Sequence, residues 1–140
     1  MSAVCTINHL DHVGVAVKDI ESALAFFSNV FDVADANVVL MEDQGVRACL
    51  IQVGQTRLEL LEPTSPESGV GRFIERRGEG LHHLALNVTD ISGKLQALQA
   101  LGVDLIDEVP REGLSGTIAF VHPKSVFGVL TELVESESKE

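Results

Sequence analysis

The sequence predicts an α+β fold built from two tandem βαβββ modules. Three observations lead to this prediction: an internal repeat, a strand followed by a helix at the start of each copy, and several strand-like segments after each helix. A chain of 140 residues with 45% hydrophobic residues is long and apolar enough for one packed domain. We therefore expect a single domain over residues 1–140, with module one at about 7–63, module two at about 79–135 and an acidic tail at 136–140.

The repeat consists of two separate matches. Residues 9–20 align with residues 80–91 at an offset of 71 positions. Residues 58–62 align with residues 131–135 at an offset of 73 positions. One such match can arise by chance. Two matches in the same order and at nearly the same offset indicate a duplication, with small differences in loop length between the copies.

Each copy opens with a strand that leads into a helix. Residues 10–17 are rich in β-branched side chains and precede Asp19, a favoured helix N-cap; residues 81–88 and Asp90 repeat the arrangement. Gly102 stands where the second helix needs a left-handed residue at its end. Apolar residues at helical spacing follow both aspartates: Ile20, Ala23, Leu24, Phe27 and Phe31 in the first copy, and Ile91, Leu95, Leu98 and Leu101 in the second.

Further strands complete both modules. A short helix at 67–76 is expected to join them, with Pro66 at its first position and Gly78 at its end. The expected strands are 46–53 and 56–62, with a further candidate at 38–41, in module one, and 103–106, 116–121 and 129–134 in module two.

One histidine and one glutamate recur in each copy. Because side chains alternate between the faces of a strand, His12, Glu59, His83 and Glu132 all point away from the most apolar faces. A lone strand histidine is usually structural and a lone strand glutamate is usually solvated. The repetition favours a shared role instead, and a pseudo-twofold relation would bring all four to one cleft in a curved mixed sheet. Two imidazoles and two carboxylates suit a divalent transition metal, with positions left open for water or substrate.

Composition excludes several classes of partner. The formal net charge of −11 argues against nucleic acid and anionic membrane surfaces, which repel an acidic protein. No apolar stretch approaches the roughly 20 residues that a membrane span needs. Cys5 and Cys49 form neither a disulfide framework nor a zinc motif, and no signal-peptide pattern is present, so we expect a cytoplasmic protein.

The chain resembles the vicinal oxygen chelate superfamily, which includes glyoxalase I, extradiol dioxygenases and fosfomycin-resistance proteins. Within it, the resemblance is greatest to the methylmalonyl-CoA epimerases. The segment His122-Pro123-Lys124, followed by the ending at 128–133, is the most specific part. The likeness spans roughly residues 7–134, and its other segments are 11–16, 42–47, 59–63 and 78–85.

The resemblance implies a metal-dependent epimerase of methylmalonyl-CoA or a related 2-substituted acyl-CoA. It matches His12, Glu59, His83 and Glu132 to the metal positions of the family, where some members have Gln in place of Glu59. It implies that Glu132 also moves a proton at the α-carbon while the metal stabilises an enolate. Cobalt is the metal that the resemblance favours, although the donor set accepts Ni, Mn, Zn or Fe. A homodimer is implied as well.

The sequence departs from the family at one important position. Many bacterial epimerases have a second catalytic glutamate where this chain has Ala48, which cannot move a proton. Glu42, Asp43 or a bound water could take over that step. A glyoxalase I-like lactoylglutathione lyase is therefore an alternative, because it uses a similar site and the same enolate chemistry. A non-catalytic small-molecule-binding protein is a second alternative, although such members of the fold usually lack a complete ligand set.

Three further residues are candidates for substrate contact. Gln44 stands in a turn that the resemblance places near the substrate. His122 begins a His-Pro-Lys turn from which it could reach the rim of the cleft, and Lys124 could bind a substrate carboxylate or a coenzyme A phosphate. The ordinary interpretations are a structural turn, a surface histidine and a solvated lysine.

Overall fold

A computed structural model describes residues 3–136 of the chain. The expected tail at 136–140 therefore lies outside the described residues, except for its first residue. None of the helices in the described part is long and apolar enough to cross a membrane. Short 3-10 turns at Glu42–Gln44 and Pro123–Ser125 accompany the following elements: β1 (His9–Ala16), α1 (Ile20–Val30), β2 (Val39–Met41), β3 (Val46–Val53), β4 (Thr56–Pro63), α2 (Gly69–Arg77), β5 (Gly80–Asn87), α3 (Ile91–Ala100), β6 (Arg111–Gly113), β7 (Gly116–Val121) and β8 (Thr131–Glu135).

Residues His12–His82 form one compact unit around a β-sheet and α1. Its strands are hydrogen-bonded in the order β2-β3-β4-β1, with β1 parallel to β4 and β3 antiparallel to β4. The apolar face of this sheet packs against α1, as the spacing of apolar residues predicts. The buried residues of this core are Val17, Ile20, Leu24, Cys49, Ile51 and Leu60.

The described residues up to Asp11 and those from His83 onward form the second compact unit. Its strand order is β5-β8-β7-β6, with β5 parallel to β8 and β7 antiparallel to β8, so that it repeats the arrangement of the first unit. The α+β class and the two βαβββ modules are thus confirmed. The buried residues that pack around α3 are Val88, Ile91, Leu95, Ala119, Val121 and Leu133.

The starts of α1 and α3 follow the predicted capping. The Asp19 side chain accepts a hydrogen bond from the backbone N–H of Ser22, and the Asp90 side chain accepts one from Gly93. Both carboxylates accept hydrogen bonds from N–H groups that have no partner within the first helical turn. Both also interact favourably with the positive end of the helix dipole. Beyond α3, Gly102 has the predicted left-handed conformation, with φ of 82°.

One predicted strand of module two is wrong. Residues 103–106 do not form a strand; Leu105 makes a single antiparallel bridge to Val121. The backbone N–H groups of Ile106 and Asp107 both donate to the carbonyl of Phe120, at 2.9 and 3.1 Å, so the chain turns there instead of extending. The edge strand of the module is β6, which the sequence analysis missed because Arg111–Gly113 is short and polar.

The helix between the modules begins later than predicted. It spans Gly69–Arg77, and its N-cap is Ser68, whose side chain accepts from Gly71 at 3.1 Å. Pro66 therefore precedes the cap instead of occupying the first helical position. A serine side chain can accept this hydrogen bond, which explains the shift of the helix start. The predicted end at Gly78 is confirmed, with φ of 79°.

Candidate functional site

His12 and Glu59 form a buried pair in the first unit. His12 is fully buried and Glu59 is 7% exposed. The Nε2 atom of His12 lies 3.5 Å from Oε1 of Glu59. The pair arises from the parallel pairing of β1 and β4, in which Gly14 stands opposite Glu59.

His83 and Glu132 form the equivalent pair in the second unit. They are 5% and 3% exposed, and Nε2 of His83 lies 3.6 Å from Oε1 of Glu132. In this unit Ala85, two residues after His83, stands opposite Glu132 in the parallel pairing of β5 and β8. The ring of Phe120 meets the His83 ring edge to face, with centroids 5.5 Å apart and an interplanar angle of 88°. This contact restricts the rotation of the imidazole.

The two pairs have the same register and the same geometry. In each unit the histidine lies two residues before the residue that faces the glutamate across the parallel strands. The structure thus brings together His12 with Glu59, and His83 with Glu132, as the duplication predicts. Four buried ionisable side chains in two matched pairs are rare in a small protein, because burying a charge is costly unless it is paired or binds a metal. Buried groups of this kind are typical of metal or catalytic sites.

The separation within each pair suits two ligands of one cation. Zinc-type bonds of about 2.0–2.2 Å to nitrogen and oxygen, at a tetrahedral angle, place the two donor atoms about 3.4 Å apart. The observed distances are 3.5 and 3.6 Å. Imidazole nitrogen and carboxylate oxygen are ligands that Co, Ni, Mn, Zn and Fe all accept. Each pair therefore fits half of a divalent metal site.

Apolar side chains pack against Ala85, the small residue two positions after His83. Ala85 is fully buried and packs with Ile118 and Val134, while Phe120 lies against this cluster. Ala16, on the same face of β1 as His12, is also fully buried. The buried apolar cluster of Ala85, Ile118 and Val134 lies on the face of the second unit that carries Glu132. An apolar surrounding lowers the local dielectric constant and strengthens electrostatic interactions at the site.

Ala48 lies on the face of the sheet that carries Glu59. In the antiparallel pairing of β3 and β4, Leu50 stands opposite Glu59 and Ala48 stands opposite Leu61. Ala48 is 1% exposed. The position is thus within the polar face of the first unit, but a methyl group there cannot transfer a proton. In the adjacent 3-10 turn, Glu42 and Asp43 are exposed carboxylates.

The three candidate substrate contacts lie in turns. Gln44 is half-buried at the end of the Glu42–Gln44 turn. The Nδ1 atom of His122 accepts a hydrogen bond from the backbone N–H of Lys124 at 3.1 Å, so His122 caps its own turn. Lys124 is exposed, and its Nζ lies 3.4 Å from a carboxylate oxygen of Asp104. Contact of these residues with a substrate stays a prediction.

A polar group next to the site was missed by the sequence analysis. Asp11, which precedes His12, is 4% exposed and accepts a hydrogen bond from the side-chain amide of Asn87 at 3.2 Å. Asn87 in turn accepts from the side chain of Asn8 at 3.0 Å. These bonds fix the start of β1 against the end of β5 within the second unit. The sequence gives little indication of these hydrogen bonds, because Asp and Asn are most common in loops and turns.

A second acidic cluster, formed by Asp19, Glu21 and Glu62, has a structural explanation. Arg47 makes ion pairs with both Glu21 and Glu62. Hydrogen bonding to the Arg47 guanidinium lowers the pKa of Glu21, and the two carboxylates raise the pKa of Arg47. Glu62 also accepts from the backbone N–H of Ile20 at 2.9 Å. The cluster therefore joins α1 to the sheet.

The chain is similar in sequence to several known proteins. The family model described as Glyoxalase/Bleomycin resistance protein/Dioxygenase superfamily matches residues 11–120. An uncharacterised protein from Bacillus subtilis, YqjC, is 42% identical over 96% of this chain and 96% of its own length. The mitochondrial methylmalonyl-CoA epimerase of Homo sapiens is 30% identical over 96% of this chain and 77% of its own length.

A solved structure agrees with these matches. The S115T variant of the Streptomyces coelicolor methylmalonyl-CoA epimerase, in complex with 2-nitronate-propionyl-CoA, is 34% identical to this chain. It superimposes with a TM-score of 0.90 over 96% of this chain and 99% of its own. The similarity in fold thus extends over nearly the whole chain.

Proposed function

Because the chain belongs to the Glyoxalase/Bleomycin resistance protein/Dioxygenase superfamily, we propose that it is a metal-dependent epimerase of methylmalonyl-CoA or a related 2-substituted acyl-CoA. The observation that carries the proposal is the duplicated buried His–Glu pair in matched register. Two relatives named as methylmalonyl-CoA epimerases support the choice of substrate. The proposal includes one domain, a homodimer and a cytoplasmic location.

In this proposal His12, Glu59, His83 and Glu132 hold one divalent cation. When bound, the cation would act as a Lewis acid that favours negative charge on a thioester oxygen. The two carboxylates keep the net charge of the donor set at −2, so a divalent ion is neutralised by the protein alone. The buried apolar cluster around Ala85 lowers the dielectric constant beside Glu132, which strengthens the attraction of this carboxylate for a cation. Cobalt is our first choice of metal, since the resemblance favours it.

Glu132 is the proposed proton acceptor at the α-carbon. It lies on β8 beside His83, and Thr131 and Leu133 on either side of it are buried, which fixes the strand. A positioned carboxylate contributes about 10²- to 10⁴-fold to such a proton transfer. An epimerase must also return a proton from the opposite face. Ala48 cannot do so, and we assign this step to Glu42, Asp43 or a water molecule.

Gln44, His122 and Lys124 are the proposed substrate contacts. All three lie in turns next to strands that carry the His–Glu pairs or Ala48. Lys124 is the one cation among them, and its ion pair with Asp104 is exposed on both sides and thus weak. A substrate carboxylate or phosphate can therefore displace Asp104 at small cost.

The test is conversion between single stereoisomers of methylmalonyl-CoA. Protein purified without chelator and loaded with Co²⁺ should convert each isomer to an equilibrium mixture, followed by chiral analysis of the acyl group. The Glu132→Gln variant should lose at least 100-fold of this rate. A wild-type rate no higher than that of Glu132→Gln would overturn the proposal.

The alternative reaction is that of a lactoylglutathione lyase. Ala48 favours it, because the position lacks the second carboxylate expected of an epimerase. The same Co²⁺-loaded protein should be given the hemithioacetal of methylglyoxal and glutathione. Turnover of that substrate without turnover of methylmalonyl-CoA would support the lyase. Failure to bind a stoichiometric divalent metal would instead support a non-catalytic binding protein.

A further inference from the structure

Phe127 is the most exposed large apolar residue in the described part of the chain. Its side chain is 99% exposed, and its backbone has the left-handed conformation, with φ of 56°. Among the described residues, the other non-glycine positions with positive φ are Asp32 and Asp90. Aspartate tolerates this conformation, whereas a bulky aromatic residue there is strained. Backbone strain is concentrated at functional sites, so the exposed Phe127 ring is a candidate binding group.

The loop that carries Phe127 is held by many hydrogen bonds. The N–H groups of Val126 and Gly128 both donate to the carbonyl of Pro123, at 3.0 and 2.8 Å. The hydroxyl of Ser125 accepts from the backbone N–H of Asp104 at 3.0 Å. The strain at Phe127 is therefore maintained by its surroundings, and the exposure of the ring is not the result of a loose chain.

A cation lies on the same loop as the ring. The side chain of Lys124 is 64% exposed, and that of its partner Asp104 is 52% exposed. Their ion pair is therefore weak, and another anion can readily replace Asp104. An aromatic ring and a lysine on one loop offer the two contacts that a nucleobase and its phosphates need. In a protein with a net charge of −11, a phosphate needs such a local cation to approach.

We propose that Phe127 and Lys124 bind the nucleotide end of the coenzyme A thioester, with the Phe127 ring stacked on adenine and Lys124 in contact with a phosphate. This inference rests on the proposed function. Phe127 precedes Glu132 by five residues, which span at most about 18 Å of extended chain. Coenzyme A carries its thioester and its nucleotide at opposite ends of an extended pantetheine arm, so one molecule can engage both places.

The experiment compares two substrates, methylmalonyl-CoA and methylmalonyl-pantetheine, which lacks the nucleotide. Phe127→Asn removes the ring and keeps a residue that accepts the left-handed conformation. It should raise KM for methylmalonyl-CoA by roughly 5- to 150-fold, the range of one lost base stack, and leave KM for the pantetheine thioester unchanged. Phe127→Tyr keeps the ring and should behave like the wild type. Lys124→Gln should raise KM for methylmalonyl-CoA alone and reduce its dependence on salt.

Phe26→Ala is the matched control, because Phe26 is a 52% exposed ring on α1 that contacts Phe27 and Phe31. It should change neither KM. Equal KM values for Phe127→Asn and wild type with methylmalonyl-CoA, or an equal rise with both thioesters, would overturn the inference. A change in oligomeric state with unchanged KM would overturn it too, since it assigns the ring to contact with a second copy.

Calorimetric titration with free coenzyme A separates this inference from the proposed function. If the wild type turns over neither thioester, the proposed function fails on its own. In that case weaker binding of coenzyme A by Phe127→Asn than by wild type still supports the subsite. Equal binding, or binding by neither protein, contradicts it.

Discussion

The Nε2 atom of His83 lies 3.6 Å from Oε1 of Glu132, and both side chains are almost completely buried. The same relationship, at 3.5 Å, joins His12 and Glu59 in the other unit. A histidine and a carboxylate buried together are costly to desolvate unless they form a tight ion pair or bind a cation. A metal ion held by the four groups would offset this cost, so its binding should stabilise the folded protein.

Divalent cations should stabilise the protein. At 100 times its dissociation constant, a bound ion adds about 2.7 kcal/mol to the free energy of unfolding. For a domain of this size that raises Tm by roughly 8 °C. Thermal unfolding with added Co²⁺ or Zn²⁺, and with EDTA, measures the shift. His83→Ala should abolish it. His9→Ala, an exposed histidine at the start of β1, is the control and should keep it. An equal shift for both variants would contradict the assigned ligands.

Ala48→Glu tests the missing carboxylate. A glutamate at this 1% exposed position should lower Tm, because it buries a charge, and should raise the rate of epimerisation if a second acid is lacking. Ala48→Gln has a similar shape without the acid and should lower Tm without raising the rate. Chiral analysis of the product and thermal unfolding provide both readouts. No gain of Ala48→Glu over Ala48→Gln would mean that Glu42, Asp43 or water already supplies the proton.

Glu135 should stabilise the start of α3. Its carboxylate accepts a hydrogen bond from the backbone N–H of Ile91 at 2.9 Å, as Glu62 does for Ile20 at the start of α1. Glu135→Ala should lower the free energy of unfolding by about 1 kcal/mol, through loss of this bond and of the favourable helix-dipole interaction. Glu135→Gln retains an acceptor and should cost less. Urea denaturation measures both, and Glu67→Ala, at an exposed position, is a control expected to be neutral.

Cys49 should be inert as a thiol in the folded protein. Burial raises its pKa to about 11 from the ordinary value of 9.0. Cys5 is only partly buried and should react faster with a thiol reagent such as DTNB at pH 8. Because the unfolded thiol ionises near 9.0 and the folded one near 11, the Cys49 contribution to stability is complete below pH 9 and declines as the pH rises to 11. Cys49→Ala should show a weaker alkaline decline than Cys5→Ala. Labelling of Cys49 as fast as Cys5 would contradict its burial.

Much of the fold could be predicted because the duplication doubles every local signal. Asp19 and Asp90 identify both helix starts, and the alternation of apolar residues identifies β3 and β7. The edge strand β6 could not be predicted, because edge strands are short and carry no buried face that imposes a pattern. The turn at Ile106 depends on hydrogen bonds to Phe120, which lies far along the sequence.

The sequence predicts the two His–Glu pairs of the candidate site but not the side chains that pack around them. Strand parity and the repeat select His12 with Glu59 and His83 with Glu132, which the structure places together in each unit. The edge contact of Phe120 with His83 was not predictable, because it depends on how β7 and β8 pair.

The central claim is that Glu132 removes the α-proton of an acyl-CoA. The most direct measurement incubates Co²⁺-loaded protein with one stereoisomer of methylmalonyl-CoA in D₂O and follows deuterium in the acyl group by mass spectrometry. We predict enzyme-dependent exchange that Glu132→Gln reduces at least 100-fold. Exchange accompanied by inversion indicates a second proton donor despite Ala48, and exchange without inversion indicates that Glu132 acts alone. Exchange by wild type no faster than by Glu132→Gln would contradict the account.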